Sequence, residues 1–291
     1  MFNAAINQDP TVYAIPIFIA CIAIEAFINF KQRLNLYHTK DSVASISMGL
    51  GVVVIGLLTK TFYFFVFSAI YHFRLFELQN TWWMWTLLLF ADDFSFYWHH
   101  RMSHQIRFLW AAHVQHHSSV NMNFAVALRQ SWTEPFYKYL FYLWLPLVGF
   151  HPISIFIMMA ISLIYQFFQH TELIKSLGPL EWVINTPSHH RVHHAVQHKY
   201  LDRNHAGILI IWDRLFGTFV KEDDQEKPVY GITENISSYN PAVIASHEYV
   251  NLWRDVKRAH KLSDKIKYLI YPPGWSHDGE NKTSDYLRKQ L

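Results

Sequence analysis

The chain has 291 residues, of which 51% are hydrophobic, 17% aromatic and only 16% charged, with a formal net charge of +3. An average soluble domain carries about 25% charged residues, so the deficit argues for apolar spans, and with no dense Lys/Arg block a nucleic-acid partner is excluded. One cysteine, Cys21, excludes an internal disulfide and leaves thiolate metal chemistry without a second donor.

Residues 11–30 are apolar except for Glu25 and are long enough, as a helix, to cross about 30 Å of hydrocarbon. They follow Asn7-Gln8-Asp9-Pro10 with no basic leader, so they read as a span rather than a cleaved signal. A polar loop with Lys31, Arg33, His38 and Lys40 leads to a second apolar stretch, 43–71, which contains Lys60. A third span, 82–98, has aromatic residues at both ends, which suits the two bilayer interfaces. Apolar runs 135–150 and 152–169, broken at His151-Pro152, read as a hairpin crossing or as two re-entrant helices. From His170 the chain is soluble in character, with turns at Asp223-Asp224, Asn240-Pro241 and Pro272-Pro273-Gly274 and a loosely ordered polar end.

The expected architecture is therefore an all-α integral membrane protein. Four to five transmembrane helices carry a cytoplasmic helical cap that holds a histidine-rich dimetal site. The expected division is 1–98 membrane helices, 99–133 a first cytoplasmic segment, 134–170 a membrane hairpin, and 171–291 cap and tail. Loop 31–42 carries three Lys/Arg against one in 73–81, which puts the first loop in the cytoplasm. Alternate threading then brings the ends of the third and fifth spans to that same side.

Those ends are where the histidines gather. Three clusters, His100/His104, His113/His116/His117 and His190/His193/His194, have i, i+3 or i+4 spacing, so each can aim two or three imidazoles from one helix face. Packing that many rings together without a cation costs desolvation, and repulsion if they are charged. Eight ligands exceed the needs of one ion, so two transition metals are expected. His38, His72, His151, His247, His260 and His277 are isolated and read as caps or interface residues. Imidazole binds zinc, copper, iron and nickel alike. A site beside lipid chains faces unactivated C–H bonds, whose oxidation needs O₂ and a redox metal, and that favours iron over zinc.

Asp93-Phe-Ser-Phe-Tyr-Trp-His-His-Arg-Met-Ser-His104, Leu109-Trp-Ala-Ala-His113-Val-Gln-His116-His117, Asn185-Thr-Pro-Ser-His-His-Arg-Val-His-His194 and Ile211-Trp-Asp-Arg-Leu-Phe-Gly-Thr218 together resemble the fatty acid hydroxylase/sterol desaturase superfamily. Ala127-Leu-Arg-Gln-Ser131, Gln169-His-Thr-Glu172 and Leu177-Gly-Pro-Leu-Glu-Trp182 resemble its alkylglycerol monooxygenase branch. The resemblance implies a membrane monooxygenase with two iron ions, O₂ and an external electron donor, hydroxylating a fatty-acyl, sterol or ether lipid. The implied metal ligands are His100, His104, His113, His116, His117, His170, His190, His193 and His194. His189 and Asn204 are further candidates, as ligands or as groups that orient ligands. Asn204 is followed here by His205 and Ala206, where the family has tyrosine and glycine. The alkylglycerol branch uses tetrahydrobiopterin and has a glutamate after its first histidine pair, where this chain has Gln105. The donor therefore stays open among a pterin, a ferredoxin and a cytochrome. Two other readings remain: a desaturase built on the same site, and a metal-binding membrane protein without catalysis.

Asp92, Asp93, Glu134 and Glu172 are placed to orient imidazoles or to cap helices. Arg129 is placed to bind a headgroup or to anchor at the interface. Trp132, Phe136 and Tyr137 would wall a sideways lipid route or simply line the interface.

Overall fold

The computed structural model describes residues 10–290; the first nine residues of the expected 1–98 membrane segment, and Leu291, lie outside the described residues. Helix α1 (Pro10–Gln32) and helix α2 (Thr39–Tyr71) are long and apolar enough to cross a membrane. At 1.5 Å per residue α2 is about 50 Å long, more than a bilayer core needs. Only 11% of the most apolar stretch of α1 and 22% of that of α2 is buried in the protein. Ile17, Ile19, Phe27, Val54, Leu58 and Phe65 stay exposed. Apolar surface left bare all round a helix needs lipid rather than water as its solvent, which marks a membrane protein.

Helix α3 (Trp82–Gln105) continues past the span expected at 82–98 and delivers His100 and His104 at its far end. Its buried positions run along its whole length, from Met84 and Leu88 through Asp92, Asp93 and Tyr97 to His100 and His104, so it serves as an interior helix of the bundle. Thr81 caps it by accepting from the Met84 amide. The apolar run 135–150 does not form one helix. Residues Glu134–Phe136 and Lys138–Tyr142 are 3₁₀ turns, and Trp144–Val148 is a five-residue helix, α5. Gly149 breaks the chain there at φ 126°, where a side chain would strike the Phe76 carbonyl. Helix α6 (Pro152–Phe167) opens with Pro152 at its first position, and His151 caps it. At 16 residues it is about 24 Å long, so of the two apolar runs only the second forms a long helix.

The other regular elements are also helices: α4 (Arg107–His117), α7 (Pro187–His193), α8 (Ile211–Leu215), α9 (Pro241–Arg258), α10 (Leu262–Ile270) and α11 (Ser284–Arg288). No strand forms among the described residues; two isolated bridges, Ile184 with Leu209 and Ala195 with Tyr230, pin cap loops. Helix α4 packs on α3 and α9, and α1 packs on α6. The main core joins Tyr63 and Phe67 of α2, Leu88 of α3, Tyr139, Leu145 and Ile155. The tail expected to be loose instead ends in α11, with Arg288 donating to the Leu201 carbonyl.

Buried polar struts tie α1 and α7 to the segment that follows α6. Glu25, 1% exposed in α1, accepts from the Tyr37 hydroxyl at 2.7 Å, from the Phe124 amide at 2.7 Å and from Thr171. Arg191 in α7 grips Glu222 with two nitrogens at 2.8 and 2.6 Å and donates to the carbonyls of Thr171 and Ile174. Both struts end beside His170 and hold that histidine, which lies outside any helix, against α7.

Candidate metal centre

Four pieces of chain converge at the junction of bundle and cap. The end of α3 brings His100 and His104, α4 brings His113, His116 and His117, the turn after α6 brings His170, and α7 with its cap residue brings His190, His193 and His194. All nine rings are buried. They fall into two sets. His100, His104, His113, His117 and His193 place one nitrogen each within 4.8 Å of one another, and so do His116, His170, His190 and His194. Every histidine expected as a ligand lies in one set or the other; His189 and Asn204 lie in neither.

The outer nitrogens of the rings are held by acceptors. Nδ1 of His100 donates to the His205 carbonyl at 2.7 Å, His116 to that of Arg129 at 3.2 Å, His170 to that of Gln166 at 2.8 Å and His193 to that of Arg203 at 2.8 Å. His104 and His113 donate instead to the carboxylates of Asp202, at 3.1 Å, and Glu134, at 3.3 Å. A carbonyl or carboxylate can only accept, so these six rings carry their proton on Nδ1 and turn a bare lone pair inward at Nε2.

Those lone pairs face one another. Nε2 of His100 lies 3.0 Å from that of His113, and Nε2 of His116 lies 3.1 Å from that of His170. Nε2 of His104 and of His193 is buried with no partner. Two opposed lone pairs at this distance repel unless a cation relieves them. A proton is a poor candidate, because burial pushes His113, His116 and His170 down to about 3 from the ordinary 6.5. Burial, reinforced by neighbouring rings, drives His117, His190, His193 and His194 well below their ordinary value. With metal–nitrogen bonds of about 2.1 Å, ligands at right angles stand about 3.0 Å apart, which is the spacing of these nitrogens. The donor set therefore fits a pair of metal cations and neutral imidazoles.

The supporting groups only partly match expectation. Glu134 does face imidazoles: besides His113, its other oxygen is 3.7 Å from Nε2 of His99. Asp93 does not. It accepts from the amides of Ile208 and Leu209 at 2.6 and 2.8 Å and from the Trp212 indole at 3.0 Å, so it anchors the 204–210 loop. Gly207 permits this approach, since a Cβ there would come within 2.8 Å of an Asp93 oxygen. Burial raises the Glu172 carboxyl above its ordinary value, and the nearby Arg191 opposes the rise. Asp92 is buried with both oxygens unpartnered. Sequence reasoning missed Asp202 and also Asp213, which accepts from the amides of His205 and Ala206, each at 2.8 Å.

Two expectations are corrected. Arg129 is 1% exposed and cannot meet a lipid headgroup: its guanidinium is spent on Asp41 at 3.1 Å, the Gln115 carbonyl at 3.1 Å and Ser118 at 3.0 Å. Asn204 spends its amide on the His189 and Val220 carbonyls and the Val220 amide, so it staples a turn at φ 54° and does not face the centre. His189 packs its ring against Phe219. On the cap side, a cavity of about 450 Å³ reaches His104, His117, His193 and His194 and is lined by Arg107, Glu248 and other polar groups.

A membrane-anchored helical protein with a buried polyhistidine centre is the class that this geometry defines. Residues 85–218, which carry seven of the nine rings on helices, His170 on the turn after α6 and His194 at the end of α7, match the family model for fatty acid hydroxylases. The chain is 38% identical over 274 residues to alkylglycerol monooxygenase of Xenopus tropicalis and 36% identical over 274 residues to that of Homo sapiens. These matches take in 92% and 90% of this chain and 59% of each relative, so the chain spans under two thirds of their length. Ornithine lipid hydroxylase OlsE of Rhizobium tropici is 29% identical over 151 residues, 51% of this chain and 45% of that protein. No solved structure gives a significant match.

Proposed function

We propose that the chain is an O₂-dependent di-iron membrane monooxygenase that hydroxylates a lipid. The observation that carries this reading is the double set of inward-facing, unprotonated imidazoles, joined to relatives named for lipid oxidation. His100, His104, His113, His117 and His193 hold one iron; His116, His170, His190 and His194 hold the other. When bound, the irons supply redox chemistry strong enough to use O₂ on an unactivated C–H bond. The balance is one C–H bond and one O₂, with two electrons and two protons, giving one alcohol and one water. The electrons come from an external donor, a pterin, a ferredoxin or a cytochrome.

The protein's own part is positional. Glu134, Asp202 and four backbone carbonyls fix ring orientation and tautomer. Burial keeps bulk water off the reacting carbon. The polar cavity on the cap side supports a water-side route for small reactants, and the bare faces of α1 and α2 support delivery of the lipid from the bilayer. In this reading 99–133 and 171–291 form the cytoplasmic cap, and the protein is multi-pass.

Lipid profiling under ¹⁸O₂, in cells with and without the chain, tests the proposal: a lipid alcohol carrying one labelled oxygen is expected only with the intact chain. His116→Ala and His193→Ala, one from each set, should each abolish that product. Full activity in either variant would overturn the two-metal reading. A product two hydrogens lighter with no label would move the assignment to a desaturase.

A further inference from the structure

Helices α9 and α10 are apolar on the wrong side for water. Each already packs one face on the protein, burying Ile244 and Leu252 of α9 and Tyr268 of α10. Their outer faces are not polar. Leu262, Ile266 and Ile270 of α10 stand four residues apart and so share a face, and they are 72%, 46% and 54% exposed. Val243, Val250 and Trp253 line the outer face of α9 and are exposed as well. A helix between protein and water turns polar groups outward, so a bare apolar strip of this kind has another cover. Charge collects here too. Residues 241–271 hold six Lys/Arg against three Asp/Glu, an excess equal to the +3 of the whole chain. The acids are engaged: Glu248 and Asp255 hold Arg107 at 2.9 and 2.7 Å, and Asp264 pairs with Lys267. Lys257, Lys261 and Lys265 pair with no acid among the described residues, and Lys257 lies over the exposed Trp253 ring at 5.0 Å. A chain of contacts joins this patch to the lipid-facing surface of the bundle. The Arg107 amide donates to the Tyr271 carbonyl at 3.1 Å, which sets the end of α10 beside the exposed Phe108. Phe108 meets Tyr249 of α9 edge to face, and the Tyr249 hydroxyl lies 2.8 Å from that of Thr133. Three residues on, Phe136 is exposed, and its carbonyl accepts from Tyr63 of the membrane helix α2.

We propose that α9 and α10 lie in the plane of the bilayer interface and bind anionic phospholipid. Trp253, Ile266 and Ile270 enter the acyl boundary, and Lys257, Lys261 and Lys265 meet the phosphates. Helices that rest on membranes combine an apolar face with flanking cations in this way, tryptophan suits that depth, and each cation near an anionic leaflet adds to the attraction. The inference goes beyond the oxidation chemistry and does not depend on it. It bears on the centre through Arg107, which Glu248 and Asp255 tie to α9. Arg107 opens α4, whose other end carries His113, His116 and His117. The bilayer surface thereby sets the height at which those rings stand.

The test uses the full chain in bilayer discs of phosphatidylcholine, with or without phosphatidylserine. Cys21→Ala removes the one native thiol, and a nitroxide is then attached through Trp253→Cys, Ile266→Cys or, as a water-side reference on an exposed loop, Asp224→Cys. All three positions are exposed, so the labels leave the core intact. Collisions with oxygen, which concentrates among acyl chains, are compared with collisions with a water-soluble nickel chelate. The oxygen-to-nickel ratio should be several-fold higher at 253 and 266 than at 224, and higher with phosphatidylserine than without. Changing Lys257, Lys261 and Lys265 together to Glu should lower the ratio at 266 several-fold in the anionic discs. Ratios at 253 and 266 equal to that at 224 would overturn the proposal. So would spin–spin broadening at 266 that disappears on dilution with unlabelled chain, because a second copy would then cover the face. A high ratio indifferent to lipid charge and to the lysines would overturn the anionic-lipid assignment.

Discussion

At the scale of single residues, the centre is organised by what lies behind the rings. Glu134 is the acceptor with the most contacts to lose, since its carboxylate serves His113 and lies near His99. Replacing Glu134 with Gln removes its charge and leaves one acceptor oxygen. By analogy with other orienting carboxylates, metal affinity should fall roughly 10–100-fold. Chelator competition measures this, and an affinity equal to the parent's would remove Glu134 from the role. The ligands themselves were legible because their i, i+3 and i+4 spacing is a one-dimensional trace of a shared helix face. His170 has no partner at helical spacing, and only the family motif pointed to it. The backbone carbonyls that hold four rings have no sequence signature, because every residue has one. Asp202 was invisible for a related reason: it sits in a loop 98 residues from His104.

At the scale of elements, the buried pair Arg129–Asp41 ties the first turn of α2 to α4 and the loop that follows it. Arg129→Met would leave Asp41 buried without its cation. Losing one partner of such a pair costs about 3–5 kcal/mol. The variant should therefore unfold at a clearly lower temperature in detergent, with the KM for lipid unchanged in the protein that remains folded. The reverse pattern, full stability with a raised KM, would restore the headgroup role. Helices α1 and α2 were readable from apolar length alone. The 135–150 run was not, because hydropathy reports burial of either kind, and its Glu134–Pro135 start and Gly149 end favour short turns over one long helix. For Asp93 the sequence left imidazole orientation and helix capping open, because proximity to His100 says nothing of direction: its side chain points to the 208–212 segment.

For the whole molecule, the buried rings link stability to pH. Their pKa values in the folded protein are depressed, to about 3 for His113, His116 and His170, from an unfolded value near 6.5. Above pH 6.5 neither state binds the proton, and these groups leave stability unchanged. As pH falls through 6.5 the unfolded chain takes up protons that the folded chain refuses, so stability drops, and it keeps dropping until the folded values near 3 are reached. The unfolding midpoint of metal-free protein should thus be level from about pH 8 to about pH 7 and fall steeply towards about pH 5. A midpoint that stays constant down to pH 5 would show that the rings are already protonated or exposed.

The convergence of α3, α4, the turn at His170 and α7 on one pair of sites has a mechanical corollary. A metal held by His113 and His193, or by His116 and His190, closes chain loops of more than seventy residues, much as a crosslink would. The loaded pair would rivet α4 and α7 to the end of α3 and the turn after α6. Any gate that admits substrate must then hinge away from these rings, and α4 and α7 cannot part from α3 while both rivets are in place.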